Sequence, residues 1–138
     1  MMTARQGPWA AAAAGVIAAT MAASVALAAA PADPVHKTTL QTLAFPAAPL
    51  HSVTVRTVID PGGMVKPHTH PGAEMAYVVS GRGEVAITGR APQPLAAGSS
   101  FAVPPDTVHS VRNLGRAPLV LVSTYVVDQT RPIASPAP

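Results

Sequence analysis

His68 and His70 stand one residue apart, and Glu74 follows four residues later across Pro71-Gly72. Only five histidines and six carboxylates occur in 138 residues, so three of them within seven positions need a chemical reason. On a helix, residues two apart point nearly opposite ways, whereas on a strand they share a face. Pro67 and Pro71 argue against the helix. Two imidazoles on one strand face, joined by a carboxylate that a Pro-Gly turn can bring round, make a hard-to-borderline metal site. A third imidazole, His109, opens a later stretch in which Val111 and Asn113 share its face. His68, His70, Glu74 and His109 are therefore the candidate ligands, set against the alternative that each is a hydrogen-bonded core residue. His36 and His51 lie away from this grouping and read as surface residues.

The elements that must position these side chains read as short strands. Leu50–Ile59 places Val53, Val55, Thr57 and Ile59 on one face. Runs at 74–80, 84–88, 99–103, 109–113 and 118–127 follow, separated by turn sequences such as DPGG, SGRG and NLGRAP. Proline and glycine interrupt every window after residue 30, so no helical repeat survives. The expected class is all-β, a sandwich or small barrel in a single domain. Met75, Tyr77 and Val79 fall opposite Glu74 and read as core or subunit contact. Met64, Phe101, Val103 and Val111 read as core residues and are the candidates to line a pocket. The segment 29–40 has two prolines and no periodicity in its first part and reads as an arm or linker. Residues 129–138 contain three prolines and read as a flexible tail, which leaves 41–128 as the domain.

The N-terminal segment is of another kind. Arg5 precedes a long alanine-rich apolar run ending in Ala26-Leu27-Ala28, a small-x-small pattern of the sort that signal peptidase cuts. Residues 1–28 are read as a signal peptide, against an uncleaved membrane anchor as the alternative. The expectation is a periplasmic or secreted protein with no stable membrane insertion after cleavage. Eight scattered Lys and Arg and six Asp and Glu remain after residue 28, so no basic run invites a nucleic-acid partner. No cysteine is present, which excludes disulfides, thiolate ligands and cysteine nucleophiles. No glycine cluster lies between a strand and a helix, so no phosphate cradle or other organic cofactor site is indicated. A Ser99 or Ser100 nucleophile would have to compete with the metal for its histidine.

Spacing carries more than residue type. From Gly62 the chain runs glycine, five residues, His68, one, His70, three, Glu74, six, Gly81. From Gly98 it runs glycine, five, Pro104, one, Asp106, two, His109, three, Asn113. At average residue frequencies the first pattern arises by chance in only about 10⁻⁵ of such chains. The two patterns resemble the motif pair of the cupin superfamily over about residues 45–127, with Asp106 where the family usually has glycine. The resemblance implies a double-stranded β-helix, or jelly roll, with one divalent metal inside the barrel on His68, His70, Glu74 and His109. Aspartate tolerates left-handed backbone better than most residues, so the turn at Asp106 is expected to survive.

Three neutral imidazoles and one carboxylate suit iron, manganese, nickel, copper or zinc, and an octahedral ion would keep two open positions. The resemblance points to a metal-dependent enzyme similar to the quercetinase-like dioxygenases, acting on a small aromatic or enediol-type substrate with Glu74 as catalytic base. The alternatives are a non-catalytic metal or small-molecule binding module and a cupin-type isomerase. No substrate-orienting cation can be picked out from the sequence. A homodimer is expected, with Val53, Val55, Val126 and Val127 as exposed valines at the contact.

Overall fold

The computed structural model describes residues 33–137, so the signal peptide assigned to residues 1–28 lies outside the described residues. Ten strands follow one another: β1 Val35–Phe45, β2 Leu50–Ile59, β3 Met64–Thr69, β4 Gly72–Ser80, β5 Arg82–Ile87, β6 Gln93–Ala96, β7 Ser100–Val103, β8 His109–Asn113, β9 Leu119–Asp128 and β10 Ser135–Pro136. No helix occurs among the described residues. The strands form two antiparallel five-stranded sheets, ordered β1-β2-β9-β4-β7 and β10-β3-β8-β5-β6. The expected all-β jelly roll is the fold of this chain.

Period-two alternation decides what each strand buries. On β2, Val53, Val55, Thr57 and Ile59 point inward; on β9, Leu119, Leu121, Ser123, Tyr125 and Val127 do so. These rows divide the interior. One apolar cluster gathers Ile59, Val78, Val85, Phe101, Leu119 and Leu121, and a smaller one gathers Val53, Val55, Tyr125 and Val127. The buried polar residues Thr57, Ser123, Glu74 and the three histidines are distinct from both clusters. Val53, Val55 and Val127 are thus core residues and Val126 is half-buried, which corrects their assignment as exposed contact valines. The exposed large apolar residues on the strands are instead Met75, Tyr77 and Val79 on β4, each about half exposed, and Leu40, Leu43 and Phe45 on β1, with Leu114 exposed in the turn after β8.

Two segments read as irregular belong to the sheets. Residues 35–40 of the supposed arm belong instead to β1, which pairs with β2 from Val35 to Phe45 except at Leu40. All of its residues except Val35 are exposed, so it carries no buried alternation for sequence patterning to reveal. Its register slips between Thr39 and Gln41, a bulge that leaves Leu40 without a partner and reverses the phase beyond it. Before the slip, Lys37 and Thr39 oppose the inward Thr57 and Val55; after it, Leu43 and Phe45 oppose the outer-face residues Ser52 and Leu50. The supposed tail returns as β10, with Ser135 and Pro136 opposite Thr69 and His68. The short β6 likewise lies within a stretch that read as turns.

The turns hold the strands at fixed phase. Gly62, Gly81 and Gly98 have φ of 77°, 90° and 88°, as turn residues with left-handed backbone. Gly81 also sits against chain: a Cβ there would lie 2.5 Å from the Pro118 carbonyl oxygen. Asp106 has φ of 54°, the left-handed conformation expected of it, and its backbone N–H donates to the His70 carbonyl at 2.8 Å. Asn113, 1% exposed, clamps the end of β8. Its amide donates to the carbonyls of Ile59 and Ala117 at 2.8 and 2.9 Å, while its oxygen accepts from the Gly115 N–H at 2.8 Å. Replacing Asn113 by alanine strands two carbonyls and one N–H. The expected loss is roughly 2–4 kcal/mol of unfolding free energy in a urea titration, and a change below about 0.5 kcal/mol would refute the clamp.

Candidate metal centre

The four residues named from spacing converge on one point, all buried, with one potential ligand atom of each within 4.8 Å of the others. His68 is on β3 and directly opposes His109, the first residue of β8, across one sheet. Glu74 is on β4 and directly opposes Tyr125 of β9 in the other. His70 follows β3 at the crossing between the sheets and lies two residues from His68, on the same buried side. Each sheet therefore contributes ligands to a site in the space that the two enclose.

Hydrogen bonding fixes the orientation of the rings. His68 Nδ1–H donates to the Lys66 carbonyl at 2.7 Å, His70 Nδ1–H to the Ile133 carbonyl at 2.5 Å, and His109 Nδ1–H to the Thr107 carbonyl at 2.9 Å. A carbonyl only accepts, so each neutral ring places its proton on Nδ1 and its lone pair on Nε2. The three Nε2 atoms face the centre. His68 Nε2 lies 3.1 Å from His70 Nε2, while Glu74 Oε2 lies 3.0 Å from His109 Nε2 and 3.3 Å from His70 Nε2. Four acceptors this close repel one another unless a proton or a cation lies among them. That donor set fits a divalent ion, with backbone carbonyls orienting the imidazoles from behind.

Protonation favours the same use. Burial lowers the pKa of His68 to about 4; the bond to Lys66 opposes this, while His109, His70 and Lys37 add to it. The ring is neutral, and so ligand-competent, across the physiological range. Burial would raise the Glu74 carboxyl, but contacts with His109 and His70 and the Ser123 hydroxyl outweigh it and hold the group well below the usual carboxylate range. For the imidazoles to act this way, Nε2 must carry a proton or a cation must stand in its place. Burial and the Glu74 charge push the Tyr125 phenol above its ordinary value, so it remains a neutral donor. Its ring lies against His70, with centroids 4.6 Å apart.

The space beside these groups is small. A gap of about 10 Å³ touches His68, Glu74 and His109, with Thr57, Val111 and Tyr125 among its walls, and is about the size of one water. A second cavity of about 150 Å³ lies against His70 and Tyr125 and is otherwise walled by Lys37, Thr39, Val55, Ile133 and Ala134. A wider opening of about 510 Å³, lined by residues of β1 and β3, touches none of the four ligands. Of the apolar pocket candidates, Val111 lines the gap, Phe101 and Val103 are in the main core, and Met64 is half-buried outside it. His36 and His51 take no part; His36 is exposed and pairs with Asp60 at 3.2 Å.

Sequence reading missed Tyr125, Ser123, Lys37 and the Ile133 carbonyl. The available signal was the polar interruption of two apolar rows, by Thr57 on β2 and Ser123 on β9. Lys37 and Ile133 had none, because each reaches the site through a strand pairing remote in sequence.

A two-sheet β-helix with three imidazoles and a carboxylate buried between its sheets defines a metal-binding jelly roll. The chain matches the Cupin domain family over residues 55–125, and it belongs to that family. Comparison with curated proteins gives no match. Among solved structures, an uncharacterized conserved protein with a double-stranded beta-helix domain from Klebsiella pneumoniae subsp. pneumoniae MGH 78578 is 21% identical, with TM-score 0.62, over 80% of this chain and 90% of that one. A recombinant oxalate oxidase in complex with glycolate is 21% identical, with TM-score 0.61, over 77% and 56%. The DMSP lyase DddQ from Ruegeria pomeroyi DSS-3 is 19% identical, with TM-score 0.57, over 62% and 43%. This chain thus spans less than two thirds of either enzyme's length, and at these identities the likeness is one of fold.

The Ile133 carbonyl makes the C-terminal segment part of the site. A chain truncated after Thr130 is expected to keep its β circular dichroism but bind cobalt(II) or zinc(II) about 10–100-fold more weakly in a competition titration. A folded truncation that binds within twofold of the full chain would exclude this support.

Proposed function

We propose that this chain is an exported, periplasmic or secreted, metal-dependent enzyme, a dioxygenase-like oxidoreductase for a small aromatic or enediol-type molecule. The observation that carries the reading is the inward convergence of three Nε2 lone pairs and Glu74 beside a cavity of about 150 Å³. His68, His70, Glu74 and His109 would hold the ion, with iron, manganese, nickel, copper and zinc all compatible. When bound there, a divalent ion supplies Lewis acidity to an oxygen acid and, if redox-active, a route for electrons.

The chain's own groups have separate tasks in this reading. Glu74 receives the proton of the substrate hydroxyl. The contacts that keep its carboxylate ionised also make it a weak base, so the hydroxyl must be an acidic one. Tyr125 offers a neutral phenol beside Glu74 and His70, and the apolar walls of Val55 and Ile133 exclude water from one flank. A cavity of this size suits a single ring, comparable to the roughly 150 Å³ space that holds benzene in an engineered core. A second reading, a non-catalytic metal or small-molecule binding module, draws support from the pinned geometry of Glu74.

Metal analysis of natively purified protein with oxygen-electrode measurements tests the choice. The expected result is about one equivalent of redox-active metal per chain, oxygen uptake with catechols exceeding that with flavonols, and loss of uptake after chelation. Zinc alone with no uptake would end the dioxygenase reading in favour of the binding module or an isomerase.

The same proposal includes a homodimer joined through the outer face of the sheet containing β4, where Met75, Tyr77 and Val79 are exposed. Sedimentation at micromolar concentration should give twice the single-chain mass, and Tyr77→Lys should shift it to one chain. A wild-type mass of one chain would rule the dimer out.

A further inference from the structure

We infer that Lys37 is the residue that orients the substrate, and that the substrate class is a small carboxylate with a compact apolar body. This builds on the small-molecule reading of the site above, but it concerns recognition and is independent of turnover.

Three observations carry it. Lys37 directly opposes Thr57, and residues directly opposite in an antiparallel pair project to the same side. Thr57 is 3% exposed and inward, so the Lys37 stem leans over the barrel mouth. Accordingly Lys37 borders both the gap beside His68, Glu74 and His109 and the cavity against His70 and Tyr125. Apart from the candidate ligands themselves, it is the one charged side chain lining either space.

The second observation is charge. Lys37 enters none of the four ion pairs among the described residues. An ammonium without a carboxylate partner, beside a site that would itself hold a dication, attracts an anion. A cationic ligand would be repelled by it.

The third is shape. Apart from Lys37, Thr39 and the polar edges of His70 and Tyr125, the walls of the cavity are Val55, Ile133 and Ala134. An apolar body of about one ring's volume fills this space, while a carboxylate at its mouth meets the ammonium. The placement also gives β1 a purpose beyond core packing, because no residue of the strand is fully buried.

The test compares benzoate with benzamide, which match in size and differ in charge, by calorimetric titration of the full chain. Wild type, Lys37→Met and Lys37→Arg are each measured metal-free and loaded with cobalt(II), with metal content determined for every sample. Lys37→Met should weaken benzoate about fivefold or more in both forms, leave benzamide within about twofold, and leave metal content unchanged, while Lys37→Arg restores most of the benzoate affinity. A benzoate loss smaller than fivefold in either form, or a parallel loss of benzamide, would overturn the assignment. If cobalt fails to bind while the metal-free difference persists, the metal-dependent reading falls and the role of Lys37 stands.

Discussion

Each of the three site imidazoles has one N–H to spend, and each spends it on a backbone carbonyl. That commitment turns three lone pairs and a carboxylate toward one point, where they are mutually unfavourable without a positive charge between them. Much else in the architecture serves this constraint. The carbonyls of Lys66 and Thr107 come from the same local chain as the rings they orient, two residues back in each case, while that of Ile133 is delivered by the returning C-terminal segment. Asp106 in turn holds the His70 carbonyl from its left-handed turn, linking the two motifs through the backbone.

Such a polar group is costly to bury, and the barrel limits that cost by where it places it. The inward rows of β2 and β9 are apolar except at Thr57 and at Ser123 beside Tyr125, whose hydroxyls give the carboxylate surroundings a polar lining. No buried side-chain nitrogen or oxygen among the described residues lacks a hydrogen-bond partner. The apolar clusters supply the folding energy, and the polar groups between the strands set the chemistry.

The four ligands were legible in the sequence because short-range spacing and strand alternation constrain them. His68 and His70 share a side at i, i+2, the Pro-Gly turn redirects Glu74, and the second motif ends on Asn113, which proves to be the β8 clamp. The left-handed Asp106 was legible for the same local reason. What was not legible depends on long-range pairing. Nothing in Val35–Phe45 alternates between buried and exposed, so the strand could be found only through its partner, and with it Lys37. Val53 and Val55, expected on an exposed edge or face for a subunit contact, instead lie on the inward face of β2, where they pack with Tyr125 and Val127, and β1 flanks β2 within the sheet. Ser135–Pro136 is too short, and too rich in proline nearby, to announce a strand by composition.

The backing of His70 by Ile133 spans 63 positions of chain. In vectorial synthesis, then, all four chelating side chains emerge well before the group that locks the orientation of one of them. The rigidity of the His70 ring thus depends on a stretch of chain that lies beyond every chelating side chain in sequence.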